Sequence, residues 1–349
     1  MRNILTVIVC VLCILVYIQL ISAAQWTEYR ITPSPADQYN ASINGNMVVW
    51  GAALGASPGG ADINDIGEPI YFYIPDGRDF DIGGDIIVYR VIVDDELSIY
   101  MYNLSTSSEF LISSNGGPPS TDGETVVYID TSGSVHGYDL FWQDNFQVPG
   151  SNSLSGLTPK VDGDIIIWIG SQDWEIFGFK ISTWEKFLIS EVSGPFDISG
   201  DLVVLGKNSD IYCFDISDPC TPVEFPICTD INSQSAPAIS SNIIVWQDNR
   251  NGNWDIYGYN ILTEAEFQIT DDTADQTTPA ISGNTVIWED MRNGQRDIYA
   301  AILDGPLVPK CSSPLQGDLN GDCKVNFTDF ALMLNNWLEC NLDPPEACF

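Results

Sequence analysis

The 349-residue chain has one histidine, 13 lysines and arginines in total, and five methionines. Each shortage closes off a class of function. Histidine-rich metal sites, a Ser/His/Asp triad chosen from several candidate bases, and lyase sites that use several histidines are all disfavoured when His136 stands alone. Against the 13 cations stand 48 acids, a formal charge of −35. Such a field repels phosphate backbones and anionic headgroups, so no nucleic acid partner is expected. It suits divalent cations, cationic partners, or simply a solvated acidic surface that keeps a protein soluble. No glycine-rich phosphate loop precedes a helix, which removes support for nucleotide chemistry. A carboxylate pair for glycoside hydrolysis stays open, because so many acids offer many pairs and a sequence carries no distances.

What is present is a repeat of about 40 residues, the length of one four-stranded propeller blade. A small-residue turn leads into a β-branched run that ends in an aromatic or leucine, as in Asn44 to Trp50, Gly83 to Tyr89 and Asp122 to Tyr128. The run returns at Asp162 to Trp168, Ser199 to Leu205, Ser240 to Trp246 and Ser282 to Trp288. The second half of each repeat carries Ile-Tyr-x-Tyr or a variant, from Ile70-Tyr71-Phe72-Tyr73 through Ile256-Tyr257-Gly258-Tyr259 to Ile298-Tyr299-Ala300-Ala301. Turn residues between short β-branched and aromatic runs mark a meander of antiparallel strands. Solenoids of this period are helical, and no helical periodicity accompanies these repeats.

The seventh repeat lacks a fourth strand, since Ile302 runs into Leu303-Asp304-Gly305-Pro306. Its counterpart lies near the other end of the chain, where Thr27 to Thr32 matches Ala265 to Thr270. Donating that strand to the last blade removes two open sheet edges. The expected architecture is all-β: a seven-bladed β-propeller over residues 25–303 closed by an N-terminal strand, followed by a linker at 304–316 and a small EF-hand-like loop-helix module at 317–349. The repeats resemble those of TolB-like propellers and related cell-surface proteins, most closely in the Asp-x-Arg-Asn-Gly-x-x-Asp-Ile-Tyr hairpins Asp248 to Tyr257 and Asp290 to Tyr299. That resemblance implies binding surfaces at the ends of the ring and no particular reaction.

Residues 1–24 have the basic start, apolar middle and small-residue exit of a secretory signal, with cleavage expected after Ala24 and the mature protein secreted or at the cell surface. The same stretch is long enough to act as an uncleaved anchor. Seven cysteines follow, and in a secreted context such clusters usually form disulfides. Cys311, Cys323, Cys340 and Cys348 fall in a segment too small to bury much core, where covalent staples help most. Cys213, Cys220 and Cys228 make an odd set of three.

The sharpest chemical signal is Asp318 to Asp329, which places oxygen-bearing side chains Asp318, Asn320, Asp322, Asn326 and Asp329 at positions 1, 3, 5, 9 and 12 of a loop. Ca2+ takes six to eight oxygens, and this spacing turns alternate side chains inward, with Lys324 offering its backbone carbonyl. An amphipathic helix follows, with Phe330, Met333, Leu334 and Trp337 on one stripe. Gly317 to Leu338 resembles one calcium-loop half of a type I dockerin. Cys323 replaces the usual turn glycine and Asp329 closes the loop where an EF-hand has glutamate. Phe327 and Thr328 occupy the positions of the cohesin contact pair. A dockerin has two such halves and Asn341 to Phe349 is too short for a second, so the expected role is a shortened surface-attachment or sorting module.

In a propeller the loops joining second to third strands and those joining one blade to the next share a face. Here they carry Gly51 to Pro69, Asp94-Asp95-Glu96, Asp173, Trp174, Trp254 and Arg292-Asn293. Exposed tryptophans beside amides and carboxylates suit sugar stacking or protein contact, so Asp173, Trp174 and Trp254 are the candidate ligand-binding residues. Asp248, Asp255, Asp290 and Asp297 are expected to brace their hairpins with Arg250 and Arg292, because a pattern that recurs at identical spacing does not describe a unique active site. His136 is expected to pack within its strand. The expected function is non-catalytic binding of a protein or polysaccharide by a ring positioned by its calcium tail; the alternative is a carbohydrate-active enzyme, a glycoside hydrolase or lyase, with the same tail.

Overall fold

The computed structural model describes residues 26–303 except 33, 54–55, 154–157 and 172–173. The expected signal segment, linker and calcium module lie outside the described residues, as do the four tail cysteines. Within them the chain folds into seven four-stranded antiparallel sheets, one per repeat. It is a seven-bladed β-propeller.

The second strands explain why the blades form a ring. Ile166-Ile167-Trp168 and Ile244-Val245-Trp246 are fully buried along their whole length. A strand with one wet face alternates, so an unbroken apolar run needs cover on both faces. Neighbouring blades supply it, and an apolar cluster fills each of the seven junctions. The third strands add a slot. Gly258 stands opposite Phe267 of the fourth strand, and a Cβ there would come within 2.5 Å of that ring. The Ile-Tyr-Gly-Tyr signature is therefore a third strand shaped to receive a phenylalanine.

Blade 1 departs from the expectation. Ile70–Phe72 is its fourth strand, paired with a third strand at Gly59–Asp62, which lies inside the stretch read as one long loop from Gly51 to Pro69. Gly60 faces Phe72 as Gly258 faces Phe267, and its Cβ would meet that ring at 2.2 Å. Gly59-Gly60-Ala61-Asp62 has no β-branched or aromatic residue, so nothing in its composition marks a strand. The apolar run beside it took on the third-strand signature in its place.

Closure follows the expected course. Glu28–Arg30 pairs antiparallel with Asp297–Ile302, with Tyr29 opposite Ala300. The imitation of blade 6 extends to single atoms. Ile298 N–H donates to Thr32 Oγ1 at 2.7 Å, as Ile256 N–H does to Thr270 Oγ1 at 2.8 Å. Glu28 meets Arg292 at 2.6 Å, as Glu266 meets Arg250 at 2.6 Å. Arg30 reaches Asp297 at 2.8 Å, where blade 6 uses Gln268 on Asp255 at 3.2 Å.

The small-residue turns perform a second task. At six of the seven junctions the side chain at the end of the first strand accepts a hydrogen bond from a turn N–H of the next blade. Asn44 accepts from Gly84 at 3.0 Å, Asp122 from Gly163 at 3.0 Å, Ser240 from Gly283 at 2.9 Å, and Ser282 from Gly45 at 2.8 Å across the closure. Asp162 and Ser199 do the same for Gly200 and Ser241. The junction of blades 2 and 3 replaces the bond with contact: a Cβ on Gly83 would lie 2.2 Å from Gly123 N.

The expectation of disulfides fails for the ring cysteines. Cys213, Cys220 and Cys228 are free thiols, the first and last buried and Cys220 exposed. Cys228 pairs with Ile211, two rungs from Cys213. That register separates the two Cα atoms by roughly 8 Å, beyond the ~7 Å that a disulfide spans.

Candidate functional site

The twin hairpins are structural. Asp248, Asp290 and Asp297 are fully buried and Asp255 is 1% exposed. Arg250 Nη2 binds Asp248 at 2.6 Å and Arg292 Nη2 binds Asp290 at 2.6 Å. The guanidinium carbons sit 4.3 and 4.5 Å from the ring centres of Tyr257 and Tyr299. Trp246 and Trp288 donate their indole N–H to the same aspartates at 3.1 and 3.0 Å. Asn251 and Asn293 donate to Asp255 and Asp297, both at 2.7 Å. Burial raises the Asp255 carboxyl above its ordinary range, against the pull of Asn251 and Asn253. These acids are spent on holding the hairpins, as expected.

The two candidate tryptophans part company. Trp174 is 53% exposed and holds φ at +57°, a left-handed conformation that costs a residue with a Cβ about 1–2 kcal/mol. Trp254 is only half-exposed. Its N–H donates to Asp275 Oδ1 at 3.0 Å and its carbonyl accepts from Gln276 N–H at 2.7 Å, which ties it into the neighbouring loop. It therefore does not stand free as expected, because the loop between blades 6 and 7 folds against it. The two residues belong to blades 4 and 6. Asp173 lies outside the described residues.

On the face that carries Trp174, the first strands begin and the central channel opens as a chamber of about 400 Å3. A narrower chamber of about 200 Å3 opens on the opposite face. Both are bounded by Ser42, Asp81, Lys160 and Asp197, which make the waist between them. Asp81 accepts three hydrogen bonds there: Ser42 and Ser120 hydroxyls donate to it at 2.6 and 2.7 Å, and Thr121 N–H at 3.0 Å. It bridges three blades. Asp197 accepts from Ile239 N–H at 3.0 Å. Burial raises its carboxyl above the usual carboxylate range, opposed by Lys160 and by backbone N–H groups. Desolvation works against the Lys160 ammonium, yet Asp81 and Asp197 hold it above its ordinary value.

Lys160 is the residue that reading the sequence missed. It is the one cation lining either chamber, and it breaks a waist position otherwise occupied by serine, aspartate and alanine. The ion pair with Asp197 is long, 3.9 Å. Toward the mouth, Asp79 is engaged by Arg90 Nε at 2.9 Å and Nη2 at 2.6 Å. Every carboxylate lining the wider chamber thus has a partner. His136 packs as expected: its ring stacks on Tyr128 at 5.3 Å and Nε2 lies 3.0 Å from Asp130 Oδ2. Among the described residues no group of three or more His, Cys, Asp or Glu side chains is placed to hold a metal ion.

No protein-family model and no curated protein sequence matches the chain. Solved structures do. The β-propeller domain of the Trilobed protease from Pyrococcus furiosus superposes with a TM-score of 0.58 at 12% identity, over 80% of this chain and 99% of that one. That domain is described as having an open velcro topology, whereas here Glu28–Arg30 closes the ring. The acylaminoacyl peptidase of Pyrococcus horikoshii matches at TM-score 0.56 and 13% identity, over 77% of this chain and 52% of its own, so this chain spans about half that enzyme. The RRP9 WD40 repeats match at TM-score 0.57 and 8% identity, over 79% and 97% of the two chains. At such identities the likeness is one of fold.

Proposed function

We propose that the ring is a non-catalytic binding module for a neutral polysaccharide, which lies across the face that carries Trp174 and the wider chamber mouth. The observation that carries this reading is Trp174 itself. An indole 53% exposed on that face leaves an aromatic surface open for stacking. Neutral sugars suit it because aromatic faces stack on their C–H surfaces while a charge of −35 repels acidic polymers. The engaged state of Asp79, Asp81 and Asp197 favours binding over hydrolysis. The likeness of the hairpins to TolB-like repeats agrees with a ring that binds at its ends.

Residues 1–24 direct the chain out of the cell, and a dockerin-like tail positions the ring at a surface or partner. In that tail Asp318, Asn320, Asp322, Asn326, Asp329 and the Lys324 carbonyl would hold Ca2+, which would order the loop. Phe327 and Thr328 would meet a cohesin-like partner.

Affinity electrophoresis of the full chain through gels containing neutral polysaccharides tests the ring. The wild type should be retarded by at least one polymer, and Trp174→Ala should migrate freely. Migration of the wild type unchanged in every gel, or release of reducing sugar during the run, would sink the proposal.

A further inference from the structure

The upper chamber has a floor that the fold does not require. Seven first strands meet at the waist, and six of the junctions below it are already braced by the belt of turn hydrogen bonds. Serine or alanine suffices at four of the seven waist positions, Ser42, Ser120, Ala238 and Ala280. At Lys160 the chain places an ammonium in the channel with 34% of its side chain open to water. Among the described residues Nζ is within hydrogen-bond distance of no acceptor, since its ion pair with Asp197 is 3.9 Å long. Three N–H donors thus point into a chamber of about 400 Å3 with no protein partner at bonding distance.

The surroundings say what would satisfy them. Asp197 has one oxygen on Ile239 N–H and the other facing Lys160, so an acceptor lies beside the free donors. Prolines 118, 119, 195, 237 and 279 line the wall above, presenting apolar C–H surface. A free carboxylate or phosphate would meet Lys160, but also Asp81 and Asp197 in a strongly acidic protein, and would be repelled. A hydroxyl both accepts and donates. Adjacent hydroxyls on one sugar ring can accept from Lys160 and donate to Asp197 without adding charge, while the ring's C–H faces meet proline. The volume lies within the range of small-ligand sites and exceeds what one hexose needs.

From this juxtaposition we infer that the upper chamber is a subsite for one neutral sugar residue, held by its hydroxyls between Lys160 and Asp197. This rests on the polysaccharide reading above and extends it from the Trp174 face into the channel. Trp174 meets the polymer on the face, and the chamber takes a terminal unit.

Titration calorimetry of the full chain with neutral cello-, xylo-, manno- and malto-oligosaccharides of three to six units tests it. At least one series should bind, with an affinity that changes less than twofold between 50 and 500 mM NaCl because the ligand is uncharged. Lys160→Met and Thr158→Trp, the second filling the chamber while leaving Lys160, Asp81 and Asp197 in place, should each weaken binding at least tenfold. If Lys160→Met fails to fold, Thr158→Trp decides alone. Binding unchanged in both variants overturns the subsite, and the face reading survives if Trp174→Ala still abolishes it. Loss in both variants with Trp174→Ala unaffected keeps the subsite and removes the face. No binding of any oligosaccharide, or displacement by acetate or glycine at equal concentration, overturns the assignment to a sugar.

Discussion

Ring closure by the N-terminal strand should depend on Arg30 more than the matching strand of blade 6 depends on Gln268. Arg30 Nη2 binds Asp297 Oδ1 at 2.8 Å, and Asp297 is fully buried with only Asn293 as a further side-chain donor among the hydrogen bonds of its carboxylate. Removing one partner of a buried ion pair costs about 3–5 kcal/mol. The Arg30 side chain is 32% exposed, so water partly screens the pair, and about 2–3 kcal/mol is the expected loss for Arg30→Ala. In blade 6 Gln268 donates to Asp255 at 3.2 Å and to the Thr270 carbonyl at 2.7 Å, and Gln268→Ala should cost about 1.5 kcal/mol, the low end for a bond to a charged acceptor because that contact is long and Asn251 and Asn253 still donate to Asp255. Arg30→Gln copies the blade 6 arrangement and should recover roughly half of the loss. Urea unfolding followed by tryptophan fluorescence measures all three. The difference should appear as a lower midpoint with an unchanged slope, since the same surface is exposed. If Arg30→Ala costs no more than Gln268→Ala, the charge on Asp297 is not what the closing strand neutralises, and the argument fails.

The belt of turn hydrogen bonds predicts unequal costs at equivalent positions. Ser282→Ala removes one exposed acceptor from Gly45 N–H and should cost about 1 kcal/mol or less, whereas Gly83→Ala drives a methyl to within 2.2 Å of Gly123 N and should cost about 1–3 kcal/mol; equal urea midpoints would refute the distinction. Cys220 should react with iodoacetamide at neutral pH in the folded protein while Cys213 and Cys228 do not, because burial pushes their thiols up to about 12 and about 11; peptide mass spectrometry reads the sites, and labelling of all three at equal rates would contradict their burial. The raised Asp197 carboxyl binds its proton more tightly folded than unfolded, so its contribution is fully present below the usual carboxylate range and is lost as pH rises through the higher folded value. Asp197→Asn should therefore show a smaller loss of stability between pH 4 and pH 7 than the wild type, and an unchanged pH dependence would show that the group is not perturbed.

The repeat made the ring legible before any coordinates. Unbroken buried runs such as Ile244-Val245-Trp246 demand neighbours on both faces, and the match of Thr27 to Thr32 with Ala265 to Thr270 named the strand that closes the circle. Hairpin bracing by Asp248 and Arg250 was equally readable, because identical spacing in two blades points to a shared structural task. The third strand of blade 1 was not readable: Gly59-Gly60-Ala61-Asp62 carries no strand-forming side chains, and its place in the sheet shows only in its pairing with Ile70–Phe72, where the Phe72 ring fills the space over Gly60. The same holds for Trp254, whose burial depends on a loop from the next blade.

By itself, then, the sequence determined the seven-fold ring, its closure and which loops share a face, since periodicity and β-branched runs act locally and repeat. Only the tertiary structure decided where the channel narrows and what stands there. Lys160, Asp81 and Asp197 are separated by dozens of residues and sit in short first strands without distinctive composition, and they converge only because seven blades point those strands at one axis.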